Sequence, residues 1–230
     1  MGNNAASRRR SAAGGLALRG DLVHTATMMT NRKSALLLAA LVVLCSAALL
    51  NSATPPGSGP EYTSDAQMKL PENYRQWVYL TTGFDMSYNK AAMQMDHHMF
   101  DNVFVNPEAY AAFQQTGTWP DKTVLVLEGR RAEGKGSINQ KGNYQTNDMM
   151  GIEAHVKDES RFPGKWAFFI FGDAKTAKMV PTTMECYSCH ADHAAVDTTF
   201  VQFYPTLLPI AQSKGTLSAS YQKESAAEQK

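Results

Sequence analysis

Cys186, Tyr187, Ser188, Cys189 and His190 form the run whose residue types and spacing point most directly to a defined chemistry. Two thiols one helical turn apart can add to the two vinyl groups along one edge of a porphyrin. The histidine beside the second thiol can then turn its imidazole beneath the iron as proximal ligand. The same cysteines admit two other readings. A thioredoxin-like dithiol would open a helix near the start of a βαβ unit, whereas this pair follows the strand-rich part of the chain. A zinc site needs two more strong ligands, to be drawn from His97, His98, His155 and His193. Spacing and position favour one covalently bound haem c, with Cys186 and Cys189 as thioether donors and His190 as the metal ligand.

None of the residues from Ala191 to Lys230 is a methionine. A sixth ligand would therefore come from upstream, from Met93, Met95, Met99, Met149 or Met150. Methionine is also an adaptable filler of apolar cores, and that reading is preferred. The expectation is an open or weakly ligated sixth position.

The elements that must position this motif occupy the middle of a 230-residue chain with a formal net charge of +1. A near-neutral balance gives no clustered basic face for nucleic acid. With three cysteines, one of them the remote Cys45, a disulfide framework is excluded. Arg32 and Lys33 precede an uncharged apolar run from Ala35 to Leu50, followed by the small Ser52 and Ala53, which is the pattern of a secretory signal. The run is short for a membrane span, so a periplasmic or otherwise exported protein is expected, membrane-bound only if that segment is retained. Residues 1–53 are then extension and signal, 54–67 a Pro/Gly/Ser-rich linker, 68–212 the folded domain, and 213–230 a loose polar tail.

Within the domain, short runs rich in Val, Tyr, Phe and Thr predict strands at Gln76 to Gly83, Met99 to Val105, Thr123 to Glu128, Gly151 to Lys157 and Trp166 to Phe171. Pro107 opens a short helix that Gly117 closes. Glu133 to Asn147 reads as a mobile hairpin loop. From Thr183 onward the pattern turns helical, with one helix carrying the cysteines and another at Thr199 to Ala211, broken or kinked by Pro205 and Pro209. Strands first and helices last give an α+β fold, mainly an antiparallel β-sheet with C-terminal helices bearing the haem motif.

The ordered runs Pro71-Glu72-Asn73-Tyr74-Arg75-Gln76-Trp77, Val103 to Tyr110, Asp121-Lys122-Thr123-Val124, Gly151 to Asp158, Arg161-Phe162, Trp166-Ala167-Phe168, the haem motif and Phe200 to Pro205 resemble the cytochrome P-460 family, which includes the β-sheet cytochromes called c′-beta. The resemblance covers Leu70 to Gln212. It implies a homodimer of antiparallel sheet, haem near the C-terminal helix, and iron bound by one histidine with an open distal side. In members that oxidise hydroxylamine, a lysine cross-linked to the porphyrin stands where this chain has Leu127. A leucine cannot form that bond. Asp101 stands about where those members carry a basic residue. Both departures move the expectation toward members that bind small gases in an apolar pocket.

Glu153 matches a glutamate that the family places near the distal pocket, where it could accept a proton. Strand alternation sets Glu153 and His155 opposite Ile152, Ala154 and Val156, so Glu153 points away from any core on that apolar side. His193, one turn after the motif, reads as a helix-surface residue. Phe100, Phe168, Phe169 and Phe171 are candidates for the pocket. The functional expectation is a mono-haem cytochrome whose largely apolar distal pocket, with Leu127 in its wall, takes NO or related small nitrogen ligands. The alternatives are a haem oxidoreductase of hydroxylamine or NO using Glu153, and an electron carrier for an unknown redox partner.

Overall fold

On the run Val124-Leu125-Val126-Leu127 both strand parities are apolar. Successive side chains leave a strand on opposite faces, so this strand must be covered on both. The computed structural model, which describes residues 57–88 and 97–228, meets that requirement with one sheet between two layers. The expected export segment lies outside the described residues.

The sheet has five antiparallel strands in sequence order, namely β2 (Val78–Phe84), β3 (Met99–Val105), β4 (Val124–Glu133), β5 (Tyr144–Lys157) and β6 (Trp166–Ile170). A two-stranded ribbon of β1 (Met68–Lys69) and β7 (Thr176–Ala177) stands beside it. The expected α+β class and antiparallel sheet are therefore present. Strands β4 and β5 run further than expected. Their polar arms keep pairing out to Glu133 and Tyr144, with register shifts on either side of Arg130. A 3₁₀ turn at Ile138–Gln140 lies in the loop that joins them.

Helix α1 (Pro107–Thr116) has Pro in its first turn and ends at Gly117, whose φ of 75° closes it with a bond from the Gly117 N–H to the Phe113 carbonyl. A Cβ at Gly117 would lie 2.8 Å from the Lys214 Cβ, so only glycine fits. The later helices are α2 (Glu185–His193), α3 (Leu208–Lys214) and α4 (Ala219–Glu228). The helix expected from Thr199 is instead a 3₁₀ turn at Val201–Phe203 followed by α3, because Pro205 interrupts it and Pro209 fits only the first turn of a new helix. The polar tail carries α4. Ser218 caps its start, accepting from the Tyr221 N–H at 3.1 Å and donating to the Ala194 carbonyl at 2.6 Å.

One face of the sheet buries Val124, Val126, Ile152, Ala154, Val156, Ala167 and Phe169 beneath Tyr62, Phe162 and Phe171. The other packs Leu80, Val105, Leu125 and Trp166 against α1, Trp119 and the segment from Val196 to Ala211. At the edge of the first face, Glu128 is 4% exposed. Burial works to raise its pKa, but the Tyr74 hydroxyl and the Arg130 and Arg75 guanidinium groups, at 2.6 Å each from its oxygens, hold it below the usual carboxylate range. A depressed carboxylate stabilises the fold above its unfolded pKa, ~4.3 for glutamate, and that contribution is lost as the pH falls below it. Glu128→Gln is therefore expected to cost ~2–3 kcal/mol in urea unfolding at neutral pH. Below ~pH 4.3 its stability should fall less steeply than that of the wild type. Equal slopes would show that this carboxylate does not lock Tyr74 and Arg75 to the sheet.

Candidate functional site

Helix α2 is nine residues long and buries none of them fully, so it cannot be held by its own apolar face. Tyr187 pins it. Its hydroxyl donates to the Val180 carbonyl at 3.0 Å and accepts from the Phe168 N–H at 3.3 Å, and its ring meets Phe168 edge-on at 4.9 Å. Beyond α2 the chain makes a tight turn at Val196–Thr199, closed by reciprocal backbone bonds of 3.3 and 2.9 Å. Asp197 takes a φ of 53° there. The Trp119 indole anchors the turn by donating to the Thr199 hydroxyl at 2.7 Å.

This turn presents the Thr198 carbonyl to His190 Nδ1 at 2.7 Å. With Nδ1 as the donor, Nε2 is the nitrogen left free to coordinate a metal, and the ring plane is fixed. Phe200 at 4.2 Å, Phe168 at 4.7 Å and His155 at 5.0 Å enclose the imidazole. Burial holds His190 below the ordinary histidine range although the Thr198 bond opposes it, which favours the neutral form a metal ligand requires. His155 is held well below that range by burial and then by His190. It stacks on Phe168 at 4.0 Å and meets the Thr198 hydroxyl at 3.2 Å.

His190, Cys186 and Cys189 line a cavity of about 1040 Å³ between α2 and the second face of the sheet. That is the upper end of the usual range for cofactor pockets, roughly 300–1,000 Å³. Its sheet wall carries Val103, Leu125 and Leu127 beside Phe168, and two carboxyls, Asp101 and Glu153. Leu127 sits directly between Val103 and Glu153 in the strand register. The wall thus combines apolar side chains with two carboxyls. Asp101 is pushed up to about 6 by burial, then by Glu153 and Asp85, and its Oδ1 is buried without a hydrogen-bond partner among the described residues. Burial raises Glu153 too. Its side chain still meets solvent inside the cavity, so that shift reflects the protein packed around the cavity rather than complete enclosure.

A family model described as Cytochrome P460 matches residues 71–201. The chain belongs to the cytochrome P460 family. It is accordingly a haem-binding cytochrome. No curated protein matches the chain. The matched segment takes in the whole sheet, α2 and the Val196–Thr199 turn, which together hold every residue named so far at the cavity.

The residues present fit a haem. The two cysteines are free, lie one turn apart on α2 and border the same cavity as an oriented, neutral histidine. Burial raises both thiols, helped by Glu153 at Cys186 and by Glu185 and Asp192 at Cys189, which is the opposite of the depressed pKa that marks a redox-active dithiol. Among the described residues no three His, Cys, Asp or Glu side chains converge as a metal-ion cluster, so the zinc reading lacks its donors there.

Glu153 does face away from the apolar core containing Ile152 and Ala154, but what it faces is the cavity. His193 is not a plain surface residue. It stacks on Tyr88 at 4.3 Å, lies 3.1 Å from the Glu224 carboxylate of α4, and borders the cavity. Of the four phenylalanines expected, Phe168 lines the cavity, whereas Phe169 and Phe171 lie in the opposite core and Phe100 packs on Phe84. Phe200 and Phe203 line it instead. They stand around a 3₁₀ turn, where no periodicity marks a face. Met99 borders the cavity and Met149 packs on the first core. Met93 and Met95 lie outside the described residues.

The raised Asp101 carries a sign that can be read. Between ~pH 4, where an unfolded aspartate ionises, and the folded value of about 6, the unfolded chain loses this proton and the folded one keeps it. Folding is weakened as the pH rises through that window. Asp101→Asn should therefore be more stable than the wild type at neutral pH and indistinguishable from it near ~pH 3.5 in paired denaturant titrations. A constant difference at both pH values would place an ordinary, solvated carboxyl at position 101.

Proposed function

We propose that the protein is an exported, mono-haem c-type cytochrome whose iron is bound by His190, leaves its sixth position open, and takes NO or related small nitrogen ligands. The observation that carries this reading is the fixed His190 imidazole on the same cavity as two free, protonated thiols. Cys186 and Cys189 would bind the haem edge, and the Thr198 carbonyl would keep the proximal ring in one orientation. A haem bound there would supply an iron able to take a small ligand. In the sheet wall of the cavity, the branched side chains of Val103 and Leu127 give steric shape without hydrogen bonds, which suits neutral diatomic ligands better than bound oxygen species that need a donor. Leu127 replaces the cross-linking lysine implied by the family resemblance, so ligand binding is favoured over hydroxylamine oxidation. A homodimer, as that resemblance implies, is part of the same proposal.

A haem oxidoreductase is the second reading, and Glu153 is the observation that favours it. Its raised carboxyl borders the cavity and could take a proton from a nitrogen substrate.

The test is the absorption spectrum of the ferrous, haem-loaded protein before and after CO and then NO. A high-spin spectrum that shifts with both gases is expected. A low-spin spectrum indifferent to CO would mean a second protein ligand and favour electron transfer. The Cys186→Ala, Cys189→Ala double variant should release its haem into acidified organic solvent, where the wild type retains it. Release from both would remove the covalent part of the proposal.

A further inference from the structure

One row across the sheet at the cavity is nearly bare. In register, Gly83 of β2, Asp101 of β3, Gly129 of β4 and Gly151 of β5 face one another. Three of the four have no side chain, so the Asp101 carboxyl is what rises from that row. It leans over β4, since a Cβ placed on Gly129 would lie 3.6 Å from Asp101 Oδ1. In the next row Val103, Leu127 and Glu153 are aligned. Asp101 and Glu153 therefore converge on the cavity from strands on either side of β4, and no described basic side chain lies in the wall between them. Neither belongs to an ion pair among the described residues.

We infer that Asp101 and Glu153 act as a distal carboxyl pair that sets the ligand class of the cavity, admitting neutral and cationic nitrogen ligands such as NO, hydroxylamine and hydroxylammonium, and rejecting anions such as nitrite and azide. This rests on the proposed open haem site. The wall between them offers no Lys or Arg to neutralise the pair, so its negative charge repels an incoming anion and leaves a neutral ligand unopposed. Removing one of two like charges that cannot both ionise cheaply leaves the other to ionise more readily. Single neutral variants should therefore relieve only part of the repulsion, and the double variant most of it. Asp85 borders the same cavity and adds to the negative field, but it is bound to His98 at 2.5 Å and to the Met99 N–H at 2.9 Å.

The experiment is equilibrium binding of azide and of neutral imidazole to the ferric, haem-loaded protein at one neutral pH and low salt, read from the Soret band. Wild type, Asp101→Asn, Glu153→Gln and the double variant are compared. Azide affinity is expected to rise about tenfold or more in the double variant, while imidazole affinity changes less than about threefold. Azide affinity that is unchanged, or that rises in step with imidazole, would overturn the inference. Glu153→Gln by itself should give a severalfold rise for azide, which keeps the test decisive if Asp101→Asn fails to fold. Ferrous wild-type protein that ignores CO would overturn the open-site reading first and this inference with it, so the two failures are separable.

Discussion

A sheet with apolar residues at both parities has to be covered twice, and here the two covers are not alike. One face is filled by side chains from the N-terminal segment and the loops after β5 and β6. The other is filled only at the end near α1 and α3. At its other end the helical layer stands away from the strands and leaves the cavity. The placement of the functional side chains follows from this asymmetry. Leu127, Glu153 and Asp101 meet at one cavity because they share the parity of the unfilled face, and His190 meets them because α2 is held on its far side.

What holds α2 is polar rather than apolar. Its residues bury little, so its position depends on Tyr187, on the turn at Val196–Thr199 and on the capping of α4 by Ser218 against the Ala194 carbonyl. Each of these contacts uses a backbone carbonyl or N–H group whose location is fixed by a neighbouring element. The His190 imidazole is thus referenced to the sheet through Tyr187 and to the α1 side of the core through Trp119 and Thr199. Precision at His190 comes from hydrogen bonds of defined length, while the apolar clusters supply the stability.

Much of this was legible in the residues themselves. The strand runs are strongly patterned, β3 spans the residues the sequence says, and α1 begins and ends where it says because Pro107 and Gly117 act locally. The haem motif needs no tertiary information. The wall was harder to read. Glu153 looks like a solvent-side residue by alternation alone, since nothing local distinguishes water from a cavity. Asp101 gains its meaning from glycines on β2, β4 and β5, three separate stretches of chain. Phe200 and Phe203 belong to an irregular segment without a period, and α4 is polar enough to pass for a tail until Ser218 is seen to cap it.

The order in which the parts appear along the chain has its own consequence. The cavity's sheet wall is complete by Ile170, whereas α2, the turn that orients His190 and the layer from Val201 to Ala211 all follow. A nascent chain emerging from its N-terminal end would finish the sheet while its second face was covered only by α1 and Trp119, without the layer from Val196 to Ala211. For that interval it would present a broad greasy surface to its surroundings. Synthesis halted after β6 would yield a sheet with one side only partly covered, prone to self-association. The last fifth of the polypeptide therefore serves solubility as well as the placement of His190, and loss of α3 would be felt first as aggregation.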